Sequence, residues 1–205
     1  MSKNFERGDA EDFKQKMNAL LKFITDNTYD VVCIQDFPLE SHINDSFLRS
    51  VRESKYGRVV PKNSSKKFGN AMFCPQRCEE YKYVPFHRDE DILIAKLVEC
   101  PIIFSSVKFS DSVKIIRNQI KNFDKHFKSD DKVVVCCDSN IKNHHIIKNI
   151  SEEWKDAWKE FGLSCEEFTD GDERPDRIYC KGITDGTFHT IDIPSFERKA
   201  IEFTF

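Results

Sequence analysis

No apolar run in the 205-residue sequence approaches the length of a bilayer span, and Met1 leads into the polar stretch "SKNFERGDAEDF", so neither a transmembrane helix nor a signal peptide is visible. Neither charge sign dominates: the net charge of −3 argues against a uniformly basic nucleic-acid binder. Internal repeats, low-complexity segments and linkers are also missing, which points to one domain over residues 1–205. A second Cys/His pair is lacking as well. Cys74 and Cys78 therefore make a weak zinc signal, and structural thiols are the plainer reading. These absences leave a soluble intracellular protein as the expectation.

What is present is mixed strand and helix character. Eight cysteines suggest a disulfide scaffold at first, yet most lie in apolar strand-like runs, as do Cys33, Cys100, Cys136, Cys137 and Cys180. There a reduced thiol behaves as a small hydrophobe. Helical spacing of Phe13, Met17, Leu20, Leu21 and Ile24 predicts a helix from Ala10, with Asp9 as its N-cap. A second helix is predicted over Asp111 to Phe127, and a third over "SEEWKDAWKEFG", capped by Ser151 and ended by Gly162. On that third helix Trp154 and Trp158 would share one core-facing side.

Strands are predicted at "DVVCIQDF", "NAMFC", "ILIAKLV", "PIIFSSVKF", "KVVVCCDSN", "DRIYC", "TFHTIDI" and "KAIEFTF", the fourth antiparallel to the third. The fold class is α/β in the α+β sense. The lysine-bearing loop "PKNSSKKFGN" is locally positive and fits either phosphate contact or simple solvation.

Two apolar strands stop in the same way, one at Asp36 and one at Asp138 and Asn140. Carboxylates at strand ends suit a magnesium-dependent phosphodiesterase, because a hard cation takes their oxygens and keeps positions open for water and phosphate. Acids and amides also end strands for turn chemistry alone. The adjacent His144 and His145 read as solvated histidines, and His189 as a strand-surface histidine with a smaller chance of serving the site.

In order along the chain, "YDVVCIQDF", "FGNAMFCPQ", "VVVCCDSN" and "RPDRIYCKG" resemble motifs of the endonuclease/exonuclease/phosphatase superfamily. "DAWKEFG" followed by "CEEFTDGDERPDRIY" is similar to its tyrosyl-DNA phosphodiesterase 2-like branch. The resemblance implies a four-layer αββα sandwich, two packed mixed sheets flanked by helices, with an active site at one sheet edge. It implies Mg2+, if the protein is active, at Asp36 in place of the family's glutamate. Asp138 would then stand near the attacking water, Asn140 on the phosphate, Asp176 as an organising residue or a structural partner of arginine, and Asn4 at the end of a first strand that is short or missing.

Departures from the pattern decide the expectation. Where the family has Ser-Asp-His, the chain has "PSFERKAIEF", with Glu197 and Arg198 and no histidine; where it has Ser-His-Leu, the chain has "FSSVKF", with Val107 at the histidine's place. Arginine can stabilise charge but cannot trade a proton near neutral pH. The residues therefore suggest a degenerate, inactive binding or scaffold module for a protein or nucleic-acid partner, with an exposed sheet edge open to pairing and without a membrane partner. A divergent Mg2+-dependent phosphodiesterase or nuclease is the alternative.

Overall fold

The computed structural model describes residues 10–39, 45–59, 68–75, 77–87, 90–110, 112–140, 153–162, 175–196 and 198–205. Asn4, His144, His145, Glu197, the proposed caps Asp9 and Ser151, and most of the lysine-bearing loop lie outside the described residues.

Helix α1 (Ala10–Asp26) buries Met17, Leu20 and Ile24 along one stripe, and helix α2 (Asp45–Glu53) adds Phe47 and Val51. Both cover one face of an antiparallel sheet in which β3 (Phe68–Cys74) lies between β1 (Val32–Pro38) and β2 (Gly57–Val59). Ile34, Phe37, Ala71 and Phe73 complete that layer's core. The larger sheet has six strands in the order β4 (Cys78–His87), β5 (Glu90–Leu97), β6 (Ile102–Lys108), β7 (Lys132–Asp138), β9 (Asp176–Lys181) and β8 (Trp154–Asp156).

Strands β5 and β6 are antiparallel neighbours, whereas β6 and β7 run parallel, which requires a crossover. That crossover is helix α3 (Val113–Phe123), continued by a 3-10 turn over Asp124–His126. Ile116, Ile120 and Phe123 press on the outer face of the sheet against Val107, Val133 and Val135. The inner face, with Leu93, Phe104, Val134 and Ile178, meets Met72 and Cys74 of the smaller sheet. An antiparallel pair, β10 (Thr187–Ile191) with β11 (Ala200–Thr204), adds Phe188, Ile201 and Phe203 to this inner core. The layers thus run helix, sheet, sheet, helix. The six-stranded sheet is the mixed one; the described pairings of the smaller strands are antiparallel.

The uninterrupted apolar run of β7 follows from this layering. Val133, Val135 and Cys137 face α3, Val134 and Cys136 face the other sheet, and a strand covered on both sides has no reason to alternate. The seven described cysteines are all outside disulfides.

One expected element is different. Residues 154–156 do not begin a helix: Trp154, Lys155 and Asp156 pair with Lys181, Cys180 and Tyr179 as β8, and α4 (Ala157–Phe161) is a short helix behind them. Asp156 caps α4 by accepting from the Trp158 backbone N–H at 3.1 Å, and its other oxygen takes the buried Arg177 guanidinium at 2.8 Å. A residue so engaged on the sheet cannot continue a helix upstream. Trp154 and Trp158 accordingly do not share a face. Trp154 packs on Phe123 and Phe127 beneath α3 and donates its indole N–H to Asp124 at 2.7 Å, while Trp158 joins the core between the sheets. Helix α2 and strands β2 and β4 are elements that the sequence pattern did not reveal.

Candidate functional site

Asp36, Lys108, Asp138 and Asp176 all stand at one edge of the sandwich because of strand direction. Lys108 and Asp138 are the last residues of the parallel pair β6 and β7, and Asp176 is the first residue of antiparallel β9; the register places Asp138 beside both. Asp36 arrives from the other sheet. In the β1/β3 ladder, Ile34 faces Ala71 and Phe37 faces Gly69, so Gln35 and Asp36 together oppose the single residue Asn70. This bulge re-aims the strand. Consecutive strand residues normally point to opposite faces, yet here both reach the larger sheet. Gln35 donates to the Ser106 hydroxyl at 3.0 Å and the Cys136 carbonyl at 3.1 Å, and the Asp36 carboxylate accepts from the Lys108 ammonium at 2.5 Å. Asp36 has a φ of 48°, a left-handed backbone that Asp and Asn tolerate better than most residues.

Asn140 takes the same conformation, with a φ of 50°, just past the end of β7. Its backbone N–H donates to the Asp138 carboxylate at 3.1 Å, and its side-chain amide donates to the Phe109 carbonyl at 2.7 Å. Between them, Ser139 donates from both its hydroxyl and its backbone N–H to the Pro175 carbonyl, each at 2.6 Å. The ends of β6, β7 and β9 are laced together in this way. The amide of Asn140 is spent in part on holding its own loop.

Charge completes the arrangement. The Asp138 side chain is fully buried, and Arg198, from the segment between β10 and β11, places a guanidinium nitrogen 3.9 Å from both Asp138 and Asp176. Burial raises the carboxyl pKa of Asp36; the Lys108 charge and hydrogen bond pull it back down, and neighbouring Asp138 pushes it up again. Three carboxylates, Asp36, Asp138 and Asp176, thus meet two cations that the chain itself supplies, Lys108 and Arg198.

The described residues do not fit a divalent ion. The Asp36 carboxylate is engaged by the Lys108 ammonium, and among the described residues no three His, Cys, Asp or Glu side chains are placed to hold one. Of the described histidines, His189 is exposed on β10 opposite Glu202, His126 lies before the start of β7, at the strand end away from Asp138, and His87 ends the edge strand β4 opposite Glu90. Val107, expected at the histidine's place, points into the core beneath α3. The site face of β6 carries Ser106 and Lys108. Lys108 went unseen in the sequence, although its two-residue step from Ser106 and its position at the strand end were legible there.

No protein-family model matches the sequence, and no curated protein matches it in sequence. Solved structures do match in shape. TDP2 from Caenorhabditis elegans superposes with a TM-score of 0.74 at 15% identity, covering 100% of this chain and 72% of that one. D. rerio TDP2, solved with a single-strand DNA product, gives 0.74 at 12% identity over 98% of this chain and 94% of that one. An endonuclease/exonuclease/phosphatase family protein from Leptotrichia buccalis gives 0.75 at 12% identity, covering 100% and 97%. At such identities the likeness speaks for architecture, and the chain has the endonuclease/exonuclease/phosphatase fold in a TDP2-like form.

Proposed function

We propose that this chain is a degenerate member of the fold, with little or no phosphodiester turnover, and that it serves as a binding or scaffold module for a protein or nucleic-acid partner. The observation that carries this reading is the Lys108 ammonium seated on Asp36. A magnesium ion needs carboxylate oxygens together with positions open to water and phosphate. A tethered cation already neutralises the carboxylate and repels a second positive charge. Loss of a single preorganised donor lowers rates by about 10²–10³, and here both expected histidines are also replaced. The test is cleavage of a 5′-phosphotyrosyl oligonucleotide and of a simple phosphodiester with Mg2+ or Mn2+. No turnover at high protein concentration is the expected result. Metal-dependent cleavage that Asp138→Asn abolishes would overturn the proposal.

A second reading, a divergent metal-dependent phosphodiesterase, draws support from the left-handed backbone at Asp36 and Asn140, since strain of this kind gathers at working sites. The same assay decides between the two.

A further inference from the structure

Strand β4 closes one side of the six-stranded sheet, and among the described residues β5 is the strand paired with it. At 10 residues it is far longer than β8, the strand of 3 residues at the sheet's other side. A long edge presents a row of backbone donors and acceptors on which another strand can form. Pro85 shows which of them turn outward. Proline has no N–H, and it stands in an edge strand where that position faces away from the neighbouring strand. The register between Glu80 and Pro85 is uninterrupted, so Tyr81 and Tyr83, at even steps before Pro85, also turn their N–H and C=O groups to the outer side.

Lysine and proline commonly guard an edge strand against such pairing. On β4 the guard is self-complementary. Glu80 and Lys82 share a face with Val84, which packs on the core beneath α3. Their side chains are 57% and 63% exposed, and the Lys82 ammonium lies 3.0 Å from the Glu80 carboxylate. Two such strands laid antiparallel with Tyr81 opposite Tyr81 set each Glu80 against the other copy's Lys82, twice over by symmetry. Registers centred one residue to either side set Glu80 against Glu80 or Lys82 against Lys82, and one centred on Tyr83 sets Tyr81 against Pro85, which has no N–H to give. Opposite charges directly across a ladder stabilise it, and like charges destabilise it. A second copy therefore supplies the counter-charge that a strand of unrelated sequence lacks. On the other face Tyr81, 45% exposed, meets its own counterpart, and aromatic pairs across a ladder add to its stability.

We infer that the chain pairs with a second copy of itself through β4, antiparallel about a twofold axis at Tyr81, so that the two six-stranded sheets join into one. The joint is two strands removed from β6 and its Lys108, and it does not depend on whether that edge of the sandwich turns over a phosphodiester.

The test is sedimentation of the full chain over a concentration series. The expected result is a monomer–dimer equilibrium. Glu80→Lys makes both cross-strand pairs repulsive, as does Lys82→Glu, and each should raise the dissociation constant about tenfold or more. Mixed in equal amounts, the two variants carry opposite charges at both pairs and should associate with each other, and the double variant should associate with itself. Hydrogen exchange at the Tyr81 N–H should slow as the wild-type concentration rises. Both substituted side chains are mostly exposed, and recovered association in the mixture shows that each variant is folded. A monomer at every concentration, a dimer that either single reversal leaves intact, or single variants that do not associate on mixing would each overturn the inference.

Discussion

Replacing Lys108 by methionine keeps most of the stem's volume and removes the ammonium from Asp36. Breaking a fully buried pair from one side costs about 3–5 kcal/mol, and an exposed pair is worth about 0–1 kcal/mol. Lys108 and Asp36 retain 27% and 18% side-chain exposure, so the loss should fall between these limits, at about 2 kcal/mol. For a chain of this size that corresponds to a fall in melting temperature of about 4–8 °C.

The loss should depend on pH. Asp36 has a folded pKa already raised by burial in spite of Lys108, and without the lysine it rises further. A carboxyl whose pKa is higher in the folded than in the unfolded protein binds protons more tightly when folded, so stability falls as pH climbs from the unfolded value through the folded one. Lys108→Met should therefore cost more at pH 8 than at pH 5.

The same change frees the Asp36 oxygen. A divalent ion bound with affinity on the order of 1 mM and supplied at about tenfold excess would return about 1.4 kcal/mol. Melting of wild type and variant with and without 10-fold titrations of Mg2+ or Mn2+ is the assay. A metal-dependent upward shift confined to the variant is expected. Equal responses in both proteins, or a variant as stable as the wild type at pH 8, would refute the idea that Lys108 acts as the resident cation of this edge.

Two further outcomes rest on other contacts. Asp156→Ala removes both the α4 cap and an ion-pair partner of Arg177, whose side chain is 3% exposed, and should cost about 3 kcal/mol, seen as a lower urea midpoint at unchanged slope. An unchanged midpoint would mean that Arg177 is fully compensated elsewhere. At Asn140 the left-handed backbone and the amide contribute separately. Asn140→Gly should lose only the bond to Phe109, while Asn140→Ala adds left-handed strain and should be less stable than the glycine variant by about 1 kcal/mol in the same denaturation assay. Equal stability of the two variants would remove strain from the account.

The run "VVVCCDSN" shows where sequence reasoning reaches. Its β-branched residues and its acid and amide stop were enough to place a strand buried on both faces, ending in Asp138 and Asn140. The apolar spacing of α1 and the separation of β5 from β6 were legible for the same reason: local periodicity reports which face is buried. Residues 154–156 misled because Trp154 and Trp158 are spaced as on a helix. Their actual partners, Lys181 to Tyr179 and Asp124, come from other parts of the chain. Strand β4 escaped because an edge strand exposing Tyr81 and Lys82 carries little apolar pattern.

By itself, then, the sequence determined eight of the strands, the burial of β7 and the polar residues at which β1 and β7 stop, since these follow from side-chain chemistry along a short stretch. The tertiary structure alone decided what those residues do to one another. Asp36 and Lys108 are 72 positions apart, and they meet because a bulge at Gln35 and Asp36 turns two successive side chains toward one face while the parallel register of β6 and β7 sets Lys108 beside Asp138. Contact across two packed sheets depends on register and bulge geometry, which no local run of residues encodes.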